Sequence, residues 1–140
     1  MSLLRLENVT KRFGGLTAVD DISLEVGHNE LVAIVGPNGA GKTTLFNILS
    51  GVFFPDEGKV FFEDHDITRL PPYKRAPLGM GRTFQIPRPF GSATVQENVA
   101  IGAMFGAAGK KLSVDDSMDI ADRYIDLVGL KAHRFKAAGA

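Results

Sequence analysis

The chain has 140 residues, a formal net charge of +0 and no cysteine. This length supports one hydrophobic core and at most part of a second lobe. A neutral chain lacks the overall positive field that favours nucleic acid or an anionic membrane, and the absence of cysteine excludes disulfides and thiolate metal sites. No apolar run approaches the roughly 20 residues that span a bilayer, and the N-terminus lacks the pattern of a secretion signal. We therefore expect a soluble, cytoplasmic protein with no nucleic-acid partner.

Three segments in which polar and apolar residues alternate predict β-strands with one solvated face. They comprise residues 3–9, 17–26 and 59–63, the last of which follows a turn at Pro55-Asp56-Glu57. Alternation with period two is typical of strands in an antiparallel sheet. These segments together predict an antiparallel layer.

Residues 30–35 form an apolar, β-branched run, which predicts a buried parallel strand. Residues 45–50 have apolar side chains at positions expected for a packed helix. Between them, residues 36–44 match the phosphate-binding pattern G-x-x-x-x-G-K-[ST] at every fixed position. Strand, glycine loop and helix are the context that this motif requires. A glycine-rich turn before a helix is the alternative interpretation.

The residue types of this loop suit phosphate chemistry. Glycine allows backbone conformations in which successive N–H groups face one anion, beside the positive N-terminal end of a helix. Lys42 adds a positive charge for the β- and γ-phosphates, the hydroxyl of Thr43 is placed for Mg²⁺, and Thr44 adds an α-phosphate contact. The loop residues predicted to bind a nucleoside triphosphate are Gly36, Asn38, Gly39, Gly41, Lys42, Thr43 and Thr44.

The second half of the chain carries mostly helical signals. Residues 71–76 predict a short helix with proline in its first turn, and residues 79–85 predict a short core strand. Thr94, with Glu97 three residues later, predicts a capped helix, and Ser113 predicts the start of another.

Residues 107–111 predict a loop between these two helices. In the second helix, one apolar face is predicted from residues at helical spacing, namely Ile120, Tyr124, Leu127 and Val128.

Three further motifs support a family resemblance. Residues 11–15 (Lys-Arg-Phe-Gly-Gly) precede the second strand, residues 82–85 read Arg-Thr-Phe-Gln, and residues 94–99 read Thr-Val-Gln-Glu-Asn-Val. Together with the phosphate loop, they resemble the N-terminal half of an ATP-binding-cassette (ABC) ATPase. The segments Phe13-Gly14-Gly15-Leu16-Thr17-Ala18-Val19 and Pro87-Arg88-Pro89-Phe90 most resemble the ATP-binding subunits of branched-chain amino acid importers.

This resemblance implies an α/β fold: an incomplete P-loop NTPase core with an N-terminal antiparallel β layer and the beginning of an α-helical subdomain. The nucleotide-binding core would comprise residues 1–93 and the helical subdomain residues 94–140.

The resemblance also implies roles for individual residues. Phe13 matches the aromatic residue that stacks on adenine, for which a flat ring is suited; an ordinary core phenylalanine is the alternative. Gln85 matches the glutamine that contacts Mg²⁺ and positions the attacking water, so that Gln85 and Lys42 are the catalytic candidates in this chain. A polar residue that merely ends a strand is the alternative for Gln85. Residues 85–93 would contact the membrane-spanning permease subunits, or else form a solvated loop.

Two parts of the family pattern are missing. There is no apolar strand ending in Asp-Glu, which would supply a metal-shell Asp and a water-polarising Glu, and no Leu-Ser-Gly-Gly-Gln signature loop. The nearest match, Val60-Phe61-Phe62-Glu63-Asp64, has its acids reversed and fits the third antiparallel strand instead. We therefore expect a truncated chain that holds the nucleotide-facing half, is inactive as an ATPase alone, and is marginally stable or self-associating.

The function implied by the resemblance is that of a truncated ATP-binding subunit of an ABC importer, which energises the uptake of branched-chain amino acids or related solutes. Its cofactors would be ATP and Mg²⁺. Its partners would be permease subunits and a second ATP-binding subunit, at the inner face of the cell membrane. Two alternatives remain open: a non-catalytic nucleotide-binding or interaction module, and another P-loop enzyme such as a small-molecule kinase.

Overall fold

The computed structural model describes residues 2–106 and 112–140, and their elements fall into two units that divide between Arg75 and Ala76. The loop predicted at 107–111 lies outside the described residues. The functional division into 1–93 and 94–140 stays a prediction.

The alternating segments of the first unit form the predicted antiparallel sheet. Its strands are β1 (Ser2–Phe13), β2 (Leu16–Gly27), β3 (Glu57–Phe62) and β4 (His65–Asp66), in the order β2-β1-β3-β4. Every strand pair is antiparallel, and Leu6 of the central strand pairs with both Leu24 and Val60. The sequence predicted the first three strands and missed the two-residue β4.

Helix α1 (Lys42–Ser50) is the predicted helix after the glycine loop. It ends at Gly51, which has φ 86° and donates its N–H to the carbonyl of Ile48. Residues three apart on one face are buried, as expected for a helix that packs through a single stripe. The buried apolar residues of the first unit are Leu6, Val9, Val19, Leu45, Ile48, Val60, Phe62 and Ile67.

Two predicted strands are wrong. Residues 30–35 form no strand; Leu31 is 97% and Val35 91% exposed. Residues 79–85 are likewise irregular, and Phe84 is largely exposed. A buried parallel strand depends on neighbouring strands for its backbone hydrogen bonds and on both faces for its packing. All strand pairs among the described residues are antiparallel, so neither segment has such a neighbour.

A buried arginine donates hydrogen bonds to the carbonyls at the C-terminal end of α1. Arg75 is the last residue of the short helix α2 (Pro72–Arg75), which has proline in its first turn as predicted, and it is 1% exposed. Its guanidinium donates to backbone carbonyls of Ile48 (2.9 Å), Leu49 (2.8 Å), Ile67 (2.7 Å), Leu70 (2.7 Å) and Thr68 (3.5 Å). Burial lowers the pKa of Arg75 to about 10, so it stays charged at neutral pH. A cation is favourable there because unpaired carbonyls make the C-terminal end of a helix negative.

The second unit begins with a 3₁₀ turn (Ala76–Leu78) and contains α3 (Val95–Phe105) and α4 (Val114–Leu127). Both predicted caps are confirmed. Thr94 accepts a hydrogen bond from the N–H of Glu97 (3.1 Å), whose carboxylate accepts one from the N–H of Thr94 (2.7 Å). Ser113 accepts one from the N–H of Asp116 (3.0 Å). A second 3₁₀ turn covers Lys131–His133.

The buried face of α4 differs from the predicted one. Its fully buried residues are Ser117, Ala121 and Ile125, and they include the partners of Ala100 on α3 in the core of this unit. Ser117, Ala121 and Ile125 are four residues apart and so lie on one stripe of α4, which packs against α3. Ile120 is only partly buried, and the other three residues of the predicted apolar face are exposed, namely Tyr124, Leu127 and Val128.

No helix in the described part of the chain has the length and apolar character needed to cross a membrane.

Replacing Arg75 tests its role in the first unit. Arg75→Ala leaves several buried carbonyls without a donor, and we expect it to lower the free energy of unfolding by about 3 kcal/mol or more. Arg75→Lys keeps the charge but has fewer donors, so its loss should be smaller. Urea unfolding followed by circular dichroism measures both. Lys74→Ala, on the exposed side of the same helix, is the control; equal unfolding midpoints for Arg75→Ala and this control would contradict the role.

The exposed run 30–35 predicts self-association. It is uncharged between Leu31 and Val35, contains β-branched residues and has no strand partner, which favours pairing with another chain. We expect the parent to associate increasingly with concentration in sedimentation velocity, and Leu31→Glu to shift it towards monomer. Leu16→Glu, on an exposed leucine inside a paired strand, should leave the association unchanged. A monomeric parent with a sharp, reversible unfolding transition would refute this expectation.

Candidate nucleotide-binding site

The glycine loop folds into a turn that leads directly into α1. The N–H of Ala40 donates to the carbonyl of Pro37 (3.2 Å), and Gly39 and Gly41 have φ angles of 83° and 89°. Residues with a Cβ rarely adopt these angles, so the backbone requires glycine at positions 39 and 41. The first helical hydrogen bond follows at once, from the N–H of Leu45 to the carbonyl of Gly41 (2.9 Å).

Gly41 also brings the loop against strand β2. A Cβ on Gly41 would lie 2.2 Å from the carbonyl oxygen of Ala18, so only glycine allows this approach. The next residue of β2, Val19, pairs with Lys11 of β1, two residues before Phe13. The start of α1 therefore lies beside the same end of the β1–β2 hairpin that carries Phe13.

The start of α1 has the donors that an anion needs. Its first turn contains no acidic residue, and Gly41 offers no side-chain cap within the described loop. The N–H groups that begin a helix lack acceptors inside the helix, and the helix dipole makes that end positive. The ammonium of Lys42 is held close by, where it donates to the carbonyl of Gly36. The exposed hydroxyl of Thr43 adds an oxygen ligand of the kind that Mg²⁺ accepts. These residues fit a Mg²⁺–phosphate group.

Phe13 ends strand β1 with 42% of its surface exposed. Its ring meets that of Phe53 in an edge contact, with centroids 5.2 Å apart and planes at 68°. The ammonium of Lys11 lies over the ring, 5.3 Å from its centroid. An aromatic surface that is partly exposed is what stacking on a base requires, and it disfavours the alternative of an ordinary core phenylalanine. Phe53 belongs to no motif, and Lys11 belongs to the motif at residues 11–15 without a role that the motif assigns, so neither contact was predicted from the sequence.

Gln85 lies in the second unit, exposed in an irregular segment, whereas Phe13 and the loop lie in the first. The roles assigned to it, in contact with Mg²⁺ and water, stay predictions. Beyond it, Ile86 and Phe90 are exposed by 72% and 62%. The segment is tied to α3 by Asn98, whose amide accepts from the N–H of Phe90 (2.8 Å) and donates to its carbonyl (3.1 Å).

Glu63 and Asp64 occupy the turn between β3 and β4, with φ angles of 47° and 64°. Asp64 forms an ion pair with Arg5 at 3.1 Å. A reverse turn with its aspartate engaged on the outside of the sheet is consistent with the rejection of residues 60–64 as a catalytic strand.

The sequence is similar to a known protein family and to known ATP-binding proteins. The family model described as ABC transporter matches residues 19–139. A probable branched-chain amino acid transport ATP-binding protein, LivG, from Archaeoglobus fulgidus is 46% identical over 72% of this chain and 39% of its own length. The high-affinity branched-chain amino acid transport ATP-binding protein LivG of Escherichia coli K12 is 35% identical over 97% of this chain and 58% of its own length.

Solved structures of ATP-binding cassettes show the same fold. The ADP conformation of the cassette MJ1267 has a TM-score of 0.81 and 34% identity, covering 99% of this chain and 58% of that one. The cassette MJ0796, described as a dimeric post-hydrolysis state bound to ADP and Pi, has a TM-score of 0.82 and 26% identity, covering 96% and 61%. The expected P-loop NTPase fold class is thereby confirmed, with the antiparallel layer and helices of part of a cassette.

The chain spans about 58% of the length of the relatives that it matches from end to end. The family match covers most of its residues, including the glycine loop and both helices of the second unit. The chain belongs to the ABC transporter family.

Proposed function

We propose that this chain binds Mg-ATP, with the phosphates on the loop 36–44 and the adenine on Phe13, as part of an ATP-binding subunit of an importer for branched-chain amino acids or related solutes. One observation carries the nucleotide site. An uncapped helix start with a lysine lies at the same end of the hairpin as a half-exposed aromatic ring. The two halves of a nucleotide, a polyanion and a flat base, need these two surfaces side by side.

Within this site each residue has a separate task. The N–H groups at the start of α1 and the ammonium of Lys42 hold the β- and γ-phosphates, for which Lys42 leaves the carbonyl of Gly36. The hydroxyl of Thr43 ligates Mg²⁺, and that of Thr44 contacts the α-phosphate. Gly36, Asn38, Gly39 and Gly41 shape the loop. Gln85 would contribute an amide to Mg²⁺ and the attacking water.

The names of the relatives support the importer assignment. The LivG proteins are named for branched-chain amino acid transport, and one cassette is described as a dimer. By analogy, two such subunits would enclose two Mg-ATP at the inner face of the cell membrane. The exposed segment 85–93 would meet the permease subunits through Ile86 and Phe90.

Hydrolysis requires groups that these 140 residues do not contain. The sequence has no apolar strand ending in Asp-Glu and no signature loop, so no residue polarises the attacking water. We therefore propose that the chain by itself binds ATP and turns it over negligibly.

Calorimetric titration with Mg-ATP tests the phosphate site. Lys42→Ala removes the only full charge at the loop, and we expect it to weaken binding by about tenfold or more, because charge-assisted hydrogen bonds exceed neutral ones in strength. Lys59→Ala, an exposed lysine on β3, is the charge-matched control and should bind as the parent does. Circular dichroism confirms that each variant is folded. Equal affinities of Lys42→Ala and the control would contradict the site.

The affinity for ATP with and without Mg²⁺ tests the assignment of Thr43 as a magnesium ligand. The parent should bind ATP more tightly with Mg²⁺ than with EDTA, because the metal links Thr43 to the phosphates. Thr43→Val removes the hydroxyl and should abolish most of this difference while leaving affinity in EDTA nearly unchanged. A variant that keeps the full Mg²⁺ dependence would show that Thr43 is not a ligand.

A further inference from the structure

Phe53 connects the phosphate half of the proposed site to the base half. It follows α1 by three residues, and its backbone N–H donates to the carbonyl of Asn47 on that helix (3.1 Å). Its ring packs against that of Phe13, with centroids 5.2 Å apart and planes at 68°. α1 therefore carries Lys42 at its first residue and, just beyond its last, the ring that contacts the base platform.

The segment around Phe53 is fastened to strand β1 next to Phe13. The N–H of Arg12 donates to the carboxylate of Asp56 (2.6 Å), and the N–H of Asp56 donates to the carbonyl of Thr10 (2.8 Å). The hydrogen bond from Arg12, assisted by the charge of Lys11, holds the pKa of Asp56 below its ordinary value. These two hydrogen bonds hold the backbone at Asp56, three residues after Phe53, against the end of β1 that carries Phe13.

Lys11 and Phe53 together restrict how the ring of Phe13 is used. Lys11 pairs with Asp56 at 3.6 Å and keeps its ammonium over the ring of Phe13. Lys11 and Phe13 are two residues apart on a strand, so their side chains emerge on the same side of the sheet. With Lys11 over the ring and Phe53 packed against it, the orientation of Phe13 is restricted, while 42% of the residue's surface stays exposed.

We propose that Phe53 is a positioning residue for nucleotide binding: its ring contact sets the orientation of Phe13 and, through α1, the separation between the base platform and the phosphate loop. This inference rests on the proposed nucleotide site. An edge-to-face aromatic pair has a preferred geometry and a favourable energy beyond simple apolar contact. A ring held in place before binding loses little further freedom when a base stacks on it.

The test compares a ligand that has the base with one that lacks it. Mg-ATP contains adenosine, whereas Mg-tripolyphosphate has the phosphates alone. We expect Phe53→Ala to weaken Mg-ATP binding by about three- to tenfold and to leave Mg-tripolyphosphate binding unchanged. Phe53→Leu keeps apolar bulk without a ring and should behave like Phe53→Ala, whereas Phe53→Tyr keeps the ring and should bind as the parent does.

A double-mutant cycle with Phe13→Ala completes the experiment. If Phe53 acts through Phe13, adding Phe53→Ala to Phe13→Ala should weaken Mg-ATP binding no further. Equal losses for the two ligands, or additive losses in the cycle, would overturn the positioning role. If Phe13→Ala weakens Mg-ATP binding and Phe53→Ala does not, the positioning role is overturned while the nucleotide site stands. If the parent binds neither ligand, the nucleotide site is overturned as well.

Discussion

The placement of α1 is the constraint on which the first unit depends. At the N-terminal end, Gly41 approaches the carbonyl of Ala18 more closely than any residue with a Cβ could. At the C-terminal end, Arg75 donates to the carbonyls of Ile48 and Leu49 and also to the segment that follows β4. A helix held at both ends cannot slide along the sheet. The phosphate loop and the aromatic ring of Phe13 consequently keep a fixed relation, although they lie 29 residues apart in the sequence at Lys42 and Phe13.

The two ends are held by different physical means. The N-terminal contact is steric: it requires the absence of a side chain and leaves the polar groups of the loop available for a ligand. The C-terminal contact is electrostatic, since a buried guanidinium is tolerated only when its donors find acceptors. Within the described residues, the guanidinium of Arg75 donates to backbone carbonyls and forms no ion pair with a carboxylate, so its charge is balanced by peptide dipoles.

Features set by residues close together in the sequence were predicted correctly, and features set by distant segments were not. The glycine loop, the alternating strands and the caps at Thr94 and Ser113 are specified by residues within a few positions of one another, and the structure contains them. The runs 30–35 and 79–85 have the composition of core strands but form none, because pairing is decided by other segments. The buried face of α4 is the stripe Ser117, Ala121 and Ile125, which the packing of α3 against α4 decides and the apolar pattern of α4 alone does not. Arg75 and Phe53 belong to no motif, so only their contacts reveal them.

The ammonium of Lys42 donates a hydrogen bond to the carbonyl of Gly36 within the glycine loop. The ammonium already has an acceptor, so phosphate binding at the proposed site would exchange one partner of Lys42 for another. The contribution of Lys42 to a measured ligand affinity would then equal the difference between its hydrogen bond to a phosphate oxygen and its hydrogen bond to a peptide oxygen. Because the ammonium of Lys42 is hydrogen-bonded within the loop, a single anion gains less from contacting it than it would from contacting an unpaired ammonium. Selectivity for a triphosphate would then come from the number of contacts made together.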